Sequence, residues 1–246
     1  LDKENYKQVK SKINEYSKEG YRVLAIAKND NLKNIPNSLT EAKLTFEGLV
    51  ALYDPPRKGV KESLEECYSA GIRVIMITGD NGKTAASIAK KINLNNYDEV
   101  ITGLELEAMS DDELFERVKT TNIFARVYPN HKMRIVNALQ RNNLIVAMTG
   151  DGVNDAPALK KANIGIAMGQ RGTNVAKESA DIILLDDNFN TIVKAIGKGR
   201  SIYKNIQSAI SYVIAIHIPL ALLSLFVPIF KLPTLLLPIH VMLLEL

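Results

Sequence analysis

Two stretches of this 246-residue chain repeat one another: Val74-Ile75-Met76-Ile77-Thr78-Gly79-Asp80 and Ile145-Val146-Ala147-Met148-Thr149-Gly150-Asp151. Each is an apolar run that ends in Thr-Gly-Asp. In a parallel sheet, strand ends of one sense open on the same crevice, so two hydroxyls and two carboxylates are expected at one rim. A small hydroxyl hydrogen-bonds a phosphoryl oxygen, and a glycine beside it lets a backbone N–H approach closely.

The second copy continues as Asp151-Gly152-Val153-Asn154-Asp155-Ala156-Pro157. Two carboxylates four residues apart, with an amide oxygen between them and a glycine for the turn, suit Mg²⁺, which takes oxygen ligands and keeps several waters. The competing reading makes Asn154 or Asp155 a helix N-cap. Lys132, in Tyr128-Pro129-Asn130-His131-Lys132, is either a point-charge clamp for a phosphoryl oxygen or a solvated helical lysine. Asp54-Pro55-Pro56-Arg57 follows an apolar run, and its prolines make a stiff turn that serves structure alone on the simplest reading.

These residues need a scaffold. Short apolar runs at Phe46–Leu52, Ile72–Thr78, Ile123–Ala125, Leu144–Thr149, Asn163–Ala167 and Asp181–Leu185 alternate with helical patterns of roughly a dozen residues, which predicts an α/β fold with a doubly wound parallel sheet. Pro129 marks one helix start, and Ser110-Asp111-Asp112-Glu113 reads as a capping box before another. Residues 1–40 read as a polar helix, an apolar run over Arg22–Ala27 and an Asn/Pro-rich linker.

From Phe189 the pattern is helical. It runs through Lys194, Lys198, Arg200 and Lys204 into residues 206–230, which carry no formal charge. Those residues rise roughly 37 Å as a helix, enough for a hydrocarbon core of about 30 Å, and this favours a membrane span over a buried core helix. The basic residues before it place the α/β part on the cytoplasmic side. Pro219 breaks the run and frees the carbonyl of Ala215. Lys231 and Pro233 predict a turn, with Leu235–Leu246 heading back. His217 and Glu245 each stand 14 residues from Lys231, so an antiparallel hairpin brings both to one depth, roughly 21 Å from the turn. Ionisable groups at that depth mark a transport site.

Composition narrows the rest. Hydrophobic residues at 46% and charged residues at 24% exclude wholesale disorder. A lone cysteine, Cys67, excludes an internal disulfide, three scattered histidines offer no tetrahedral zinc site, and a reducing cytosolic compartment is the default. The net charge of +4 is interspersed with acid, so no nucleic-acid partner is expected.

Asp54-Pro55-Pro56-Arg57, Thr78-Gly79-Asp80, the Lys132 motif and Thr149-Gly150-Asp151-Gly152-Val153-Asn154-Asp155, in this order along the chain, resemble the P-type cation-transporting ATPases of the haloacid dehalogenase superfamily, nearest their calcium-pump-like branch. The resemblance covers essentially the whole chain. It implies that residues 1–40 are the tail of a nucleotide-binding domain, 41–188 most of a phosphorylation domain, 189–205 a stalk helix, 206–230 a transmembrane helix, and 231–246 a turn into a second one.

The resemblance also implies roles. Thr78, Gly79 and Lys132 hold phosphate, Asp151 binds Mg²⁺, and Asn154 and Asp155 support metal and phosphate. Arg22 meets ATP phosphate, Arg126 lies near the ribose, and Asp54 and Asp80 line the nucleotide crevice. His217 and Glu245 fall where calcium pumps carry liganding asparagines, and Leu220 replaces a liganding glutamate; calcium stays the favoured ion, with fewer bound ions, another divalent cation or proton countertransport open. The family's nucleophile motif, Asp-Lys-Thr-Gly-Thr, is absent, since the only Asp-Lys pair, Asp2-Lys3, continues as Glu4-Asn5. The expectation is therefore a fragment of an integral membrane pump, cut at both ends, inactive alone and housed in a bacterial plasma membrane. Its partners are lipid, the transported cation and the rest of its parent chain: actuator and nucleotide domains and further transmembrane helices. The alternatives are a phosphatase of the same superfamily and a membrane-anchored nucleotide-binding module.

Overall fold

A computed structural model describes residues 3–30, 42, 44–231 and 233. It divides into two compact units, Leu1–Thr191 and Ile192–Leu246.

In the first unit, α1 (Lys3–Lys18) leads into β1 (Arg22–Lys28), which pairs antiparallel with β2 (Thr45–Leu52). The Phe46–Leu52 run, expected in the parallel sheet, lies instead in this two-stranded ribbon. The reason is visible in burial: no residue of β1 or β2 is fully enclosed, as suits a ribbon wetted by solvent, whereas the strand Ile123–Ala125 is buried at every position.

The parallel α/β part follows as α2 (Val60–Ser69), β3 (Met76–Ile77), α3 (Gly82–Lys91), β4 (Val100–Thr102), α4 (Gly103–Ala108), α5 (Asp111–Arg117), β5 (Ile123–Ala125) and α6 (Pro129–Arg141). It continues with β6 (Ala147–Gly150), a 3₁₀ turn at Val153–Asp155, α7 (Ala156–Lys161), β7 (Ile164–Met168), α8 (Asn174–Ser179) and β8 (Ile182–Leu184). The strands form two parallel three-stranded sheets, in the orders β3-β5-β4 and β6-β7-β8.

β5 shows why helices sit on both faces. Phe124 packs with Leu114 of α5 and Ile135 and Leu139 of α6, while its neighbours Ile123 and Ala125 pack with Leu64 of α2 and Ala85 and Ala89 of α3. Alternation along one strand thus feeds two helical layers. α6 serves both sheets, because Val136, beside Ile135, joins a second cluster with Met148, Ala158, Leu159 and Ala167. Capping sets the helix starts locally: Ser110 accepts the Glu113 N–H while the Glu113 carboxylate accepts the Ser110 N–H, and Pro129 opens α6.

The last helix, α9 (Phe189–Ile229), is continuous through Pro219 and Pro228 and rises roughly 61 Å. It is long and apolar enough to cross a membrane, and none of its most apolar window is buried within the protein. Lys231, at φ 51°, stands in the left-handed region just beyond the helix end. The expected returning segment Leu235–Leu246, with Glu245, lies outside the described residues.

Candidate functional site

Thr78 follows β3 directly. Its N–H donates to the Phe124 carbonyl at 2.9 Å, and its hydroxyl accepts the Asp80 N–H at 3.1 Å, closing Thr78-Gly79-Asp80 into a tight turn. The loop after β5 is pinned to that turn, since Arg126 N–H donates to the Asp80 carbonyl at 2.9 Å and Val127 N–H to the Thr78 carbonyl at 3.1 Å. Arg126 sits at φ 52°. Its carbonyl lies 2.0 Å from where a Cβ on Gly103 would stand, so only glycine fits opposite it.

The second Thr-Gly-Asp is built around an inward-turned carboxylate. A Cβ on Gly150 would lie 2.5 Å from the Asp155 Cβ, so the glycine makes room for Asp155 to fold back. Asp155 Oδ2 accepts the N–H groups of Asp151 (3.2 Å) and Gly152 (3.1 Å), and Oδ1 pairs with the Lys132 ammonium from α6. Asp155 is 5% exposed.

The Asp151 carbonyl accepts the Thr173 N–H at 2.8 Å, while the Asp151 side chain is exposed and makes no hydrogen bond or ion pair among the described residues. Asn154 is likewise exposed. The two repeats are neighbours through their packing: Ile77, before Thr78, joins the cluster that holds Met148, before Thr149.

This arrangement tests the donor set for Mg²⁺. Among the described residues, no three His, Cys, Asp or Glu side chains gather to hold a metal unaided. With the Asp155 oxygens occupied by Lys132 and two amides, the outward carboxylate is Asp151. A single exposed carboxylate fits Mg²⁺, which takes few protein ligands and completes its shell with waters.

Arg22 and Asp54 lie toward one end of the ribbon, where Arg22 stands opposite Leu52, two residues before Asp54; both are exposed. That end is tied to the helix after Asp80, because the Thr84 hydroxyl donates to the Tyr21 carbonyl at 3.1 Å and Asn81 caps α3 on the Thr84 N–H. His217 is exposed on α9 with Nδ1 2.8 Å from the Val213 carbonyl. Its expected partner Glu245 lies outside the described residues.

Asp187 was not legible as part of this region. Its carboxylate accepts the N–H groups of Gln170 (3.0 Å) and Arg171 (2.9 Å), and its carbonyl accepts from the Arg57 guanidinium at 2.6 Å. Burial pushes this carboxyl up, but the amides of Gln170, Arg171 and Gly169 and the Arg57 charge outweigh it and hold the group below the usual carboxylate range. The Asp54-Pro55-Pro56-Arg57 turn is thereby anchored to the loop after β7. In sequence, Asp186-Asp187-Asn188 before a helix looks like ordinary capping.

Known proteins resemble this chain closely. A haloacid dehalogenase-like hydrolase family matches residues 3–163, and a second family of the same description matches residues 132–196. Calcium-transporting ATPase 1 of Bacillus cereus is 49% identical over 201 residues, 81% of this chain and 23% of that protein. Calcium-transporting ATPase type 2C member 1 of Homo sapiens is 44% identical over 222 residues, 89% of this chain and 23% of that protein. The crystal structure of a zinc-transporting PIB-type ATPase superposes with a TM-score of 0.63 at 27% identity, covering 89% of this chain and 29% of that one. The chain thus spans about a quarter of the length of these relatives. By the match over residues 3–163 and the parallel α/β architecture that carries both Thr-Gly-Asp turns, the chain belongs to the haloacid dehalogenase-like hydrolases, in likeness to their cation-pumping P-type ATPases.

Proposed function

We propose that this chain is the catalytic-core and stalk portion of an ATP-driven pump for calcium or another divalent cation, working through an aspartyl phosphate whose nucleophile lies in another part of the parent protein. The observation that carries the reading is the array at the end of β6: Lys132, Asp155 and the Asp151 and Gly152 amides locked together, with the Asp151 carboxylate left exposed, on a strand whose Met148 shares a cluster with Ile77 before Thr78.

In this reading the Thr78 hydroxyl and the Gly79 backbone receive phosphoryl oxygens, and Lys132 supplies the positive charge that orients them. Asp151 holds Mg²⁺, which when bound neutralises phosphate charge. Asp155 and Asn154 position that rim; Asp155 does so by fixing Lys132 and the backbone of the turn. Arg22, Asp54, Asp80 and Arg126 line the nucleotide's approach. β3 and β6 are end strands of their sheets, while Ile77 and Val146 pack into the same two clusters, and this supports a place between those edges for a strand bearing the nucleophile.

α9 crosses the membrane from about Ile206, with residues 1–205 cytoplasmic and the domains divided as the resemblance implies. His217 and Glu245 are assigned to the transported cation, and the host membrane is a bacterial plasma membrane. The test is ATP hydrolysis by the full-length parent protein across a panel of divalent cations. Activity stimulated by one cation and lost in Asp151→Asn supports the reading, and activity indifferent to that substitution overturns the metal assignment.

A further inference from the structure

Between Asn188 and Phe230 the chain carries no Asp or Glu, yet it carries Lys194, Lys198, Arg200 and Lys204. All four are exposed on α9. None of the three lysines takes part in an ion pair among the described residues. At about 100° of turn per residue, the three fall within about 120° of the helix circumference. They precede Ile206 by roughly 3, 12 and 18 Å, taking Lys204, Lys198 and Lys194 in turn.

Those distances matter because the headgroup layer extends about 5–8 Å beyond the hydrocarbon. Electrostatic reach continues about 8 Å further at physiological salt. Lys204 therefore stands inside the layer and Lys198 within reach of it, while the Lys194 backbone lies just beyond and its long side chain brings the ammonium within reach by extending toward the membrane. Tyr203, 63% exposed, adds the amphipathic ring favoured at a membrane–water boundary. With no acidic side chain on the helix to neutralise it, this face is complementary to a fixed layer of negative charge.

We propose that the Lys194–Lys198–Lys204 face of α9 is a docking surface for anionic phospholipid headgroups; this rests on α9 being a membrane span. Each ammonium is a compact point charge suited to a phosphodiester, and each lysine engaged raises the association of an anionic lipid about fivefold.

The experiment reconstitutes the full-length protein in phosphatidylcholine vesicles and measures by spin-label resonance the association of labelled phosphatidylglycerol relative to labelled phosphatidylcholine. The expected result is a several-fold preference for phosphatidylglycerol that shrinks as salt rises from about 0.05 to about 0.5 M. The preference is lost in the combined Lys194→Gln, Lys198→Gln, Lys204→Gln variant and kept in a Lys160→Gln, Lys161→Gln control. Equal association of both lipids, or selectivity that survives the triple substitution, overturns the docking surface alone. A wild-type protein that does not float with neutral vesicles overturns the span and the surface together.

Discussion

Lys132 and Asp155, 23 residues apart in sequence, close an ion pair that also holds the turn after β6, because the same carboxylate accepts the Asp151 and Gly152 amides. Asp155→Asn strands a largely covered ammonium. Breaking a fully enclosed pair costs about 3–5 kcal/mol, and the partial exposure of Lys132 lowers the expectation to about 2–3 kcal/mol. Urea denaturation measures it. In a double-mutant cycle, Lys132→Met combined with Asp155→Asn recovers part of the loss, and strictly additive losses would refute the coupling.

Gly150→Ala drives a Cβ into Asp155, whereas Gly48→Ala on β2 meets nothing within 4 Å. The first is expected to cost about 1–3 kcal/mol and the second to stay within about 0.5 kcal/mol. Thermal melts of the two variants distinguish them, and equal losses would remove the account of why glycine stands at 150.

The Asp187 carboxyl, depressed in the folded state, adds stability above its unfolded value of about 3.9 and loses it as pH falls through the lower folded value. The stability difference between the wild type and Asp187→Asn is expected to stay level from neutral pH to about pH 5 and to close below about pH 4. Asp186 is depressed too, chiefly by the Thr191 hydroxyl and then by the Asn188 N–H; the Asp187 charge opposes this, so Asp187→Asn leaves Asp186 depressed further and its contribution is the smaller part of the difference. A difference that widened on acidification would contradict the assignment.

Arg73 holds the lead-in to β5 with three bonds: Nε to Asn122 Oδ1 at 2.6 Å, Nη1 to the Lys119 carbonyl at 2.8 Å and Nη2 to the Thr121 carbonyl at 2.6 Å. A lysine keeps the charge but not the planar fork, so Arg73→Lys is expected to cost about 1–3 kcal/mol. Amide exchange at Asn122 and Ile123 should quicken with it, and unchanged protection there would refute the role.

Much of the scaffold was legible because its signals are local. The Ser110–Glu113 box and Pro129 fix helix starts within a few residues, and the fully apolar Ile123–Ala125 run is a buried strand as written. Pairing is not local. Phe46–Leu52 has strand character, but nothing within it names Arg22–Lys28 as its partner. Val100–Thr102 escaped notice because three residues, followed at once by the helix that Thr102 caps, are too few for a period to show. In the candidate site, residue types point toward carboxylate and phosphate chemistry and leave its geometry open. Which of Asp151 and Asp155 turns inward depends on the space at Gly150 and on an ammonium from another helix, and neither can be read from the spacing of the two acids.

Arg126 keeps a long cationic side chain on a backbone shape that costs an ordinary L-residue about 1–2 kcal/mol. Folding alone would choose glycine there, so Arg126→Gly should raise the melting temperature and, on the proposed role beside the nucleotide, weaken ATP binding by the full-length protein. On that proposal the loop after β5 sets robustness against use, the sturdier molecule being the poorer one.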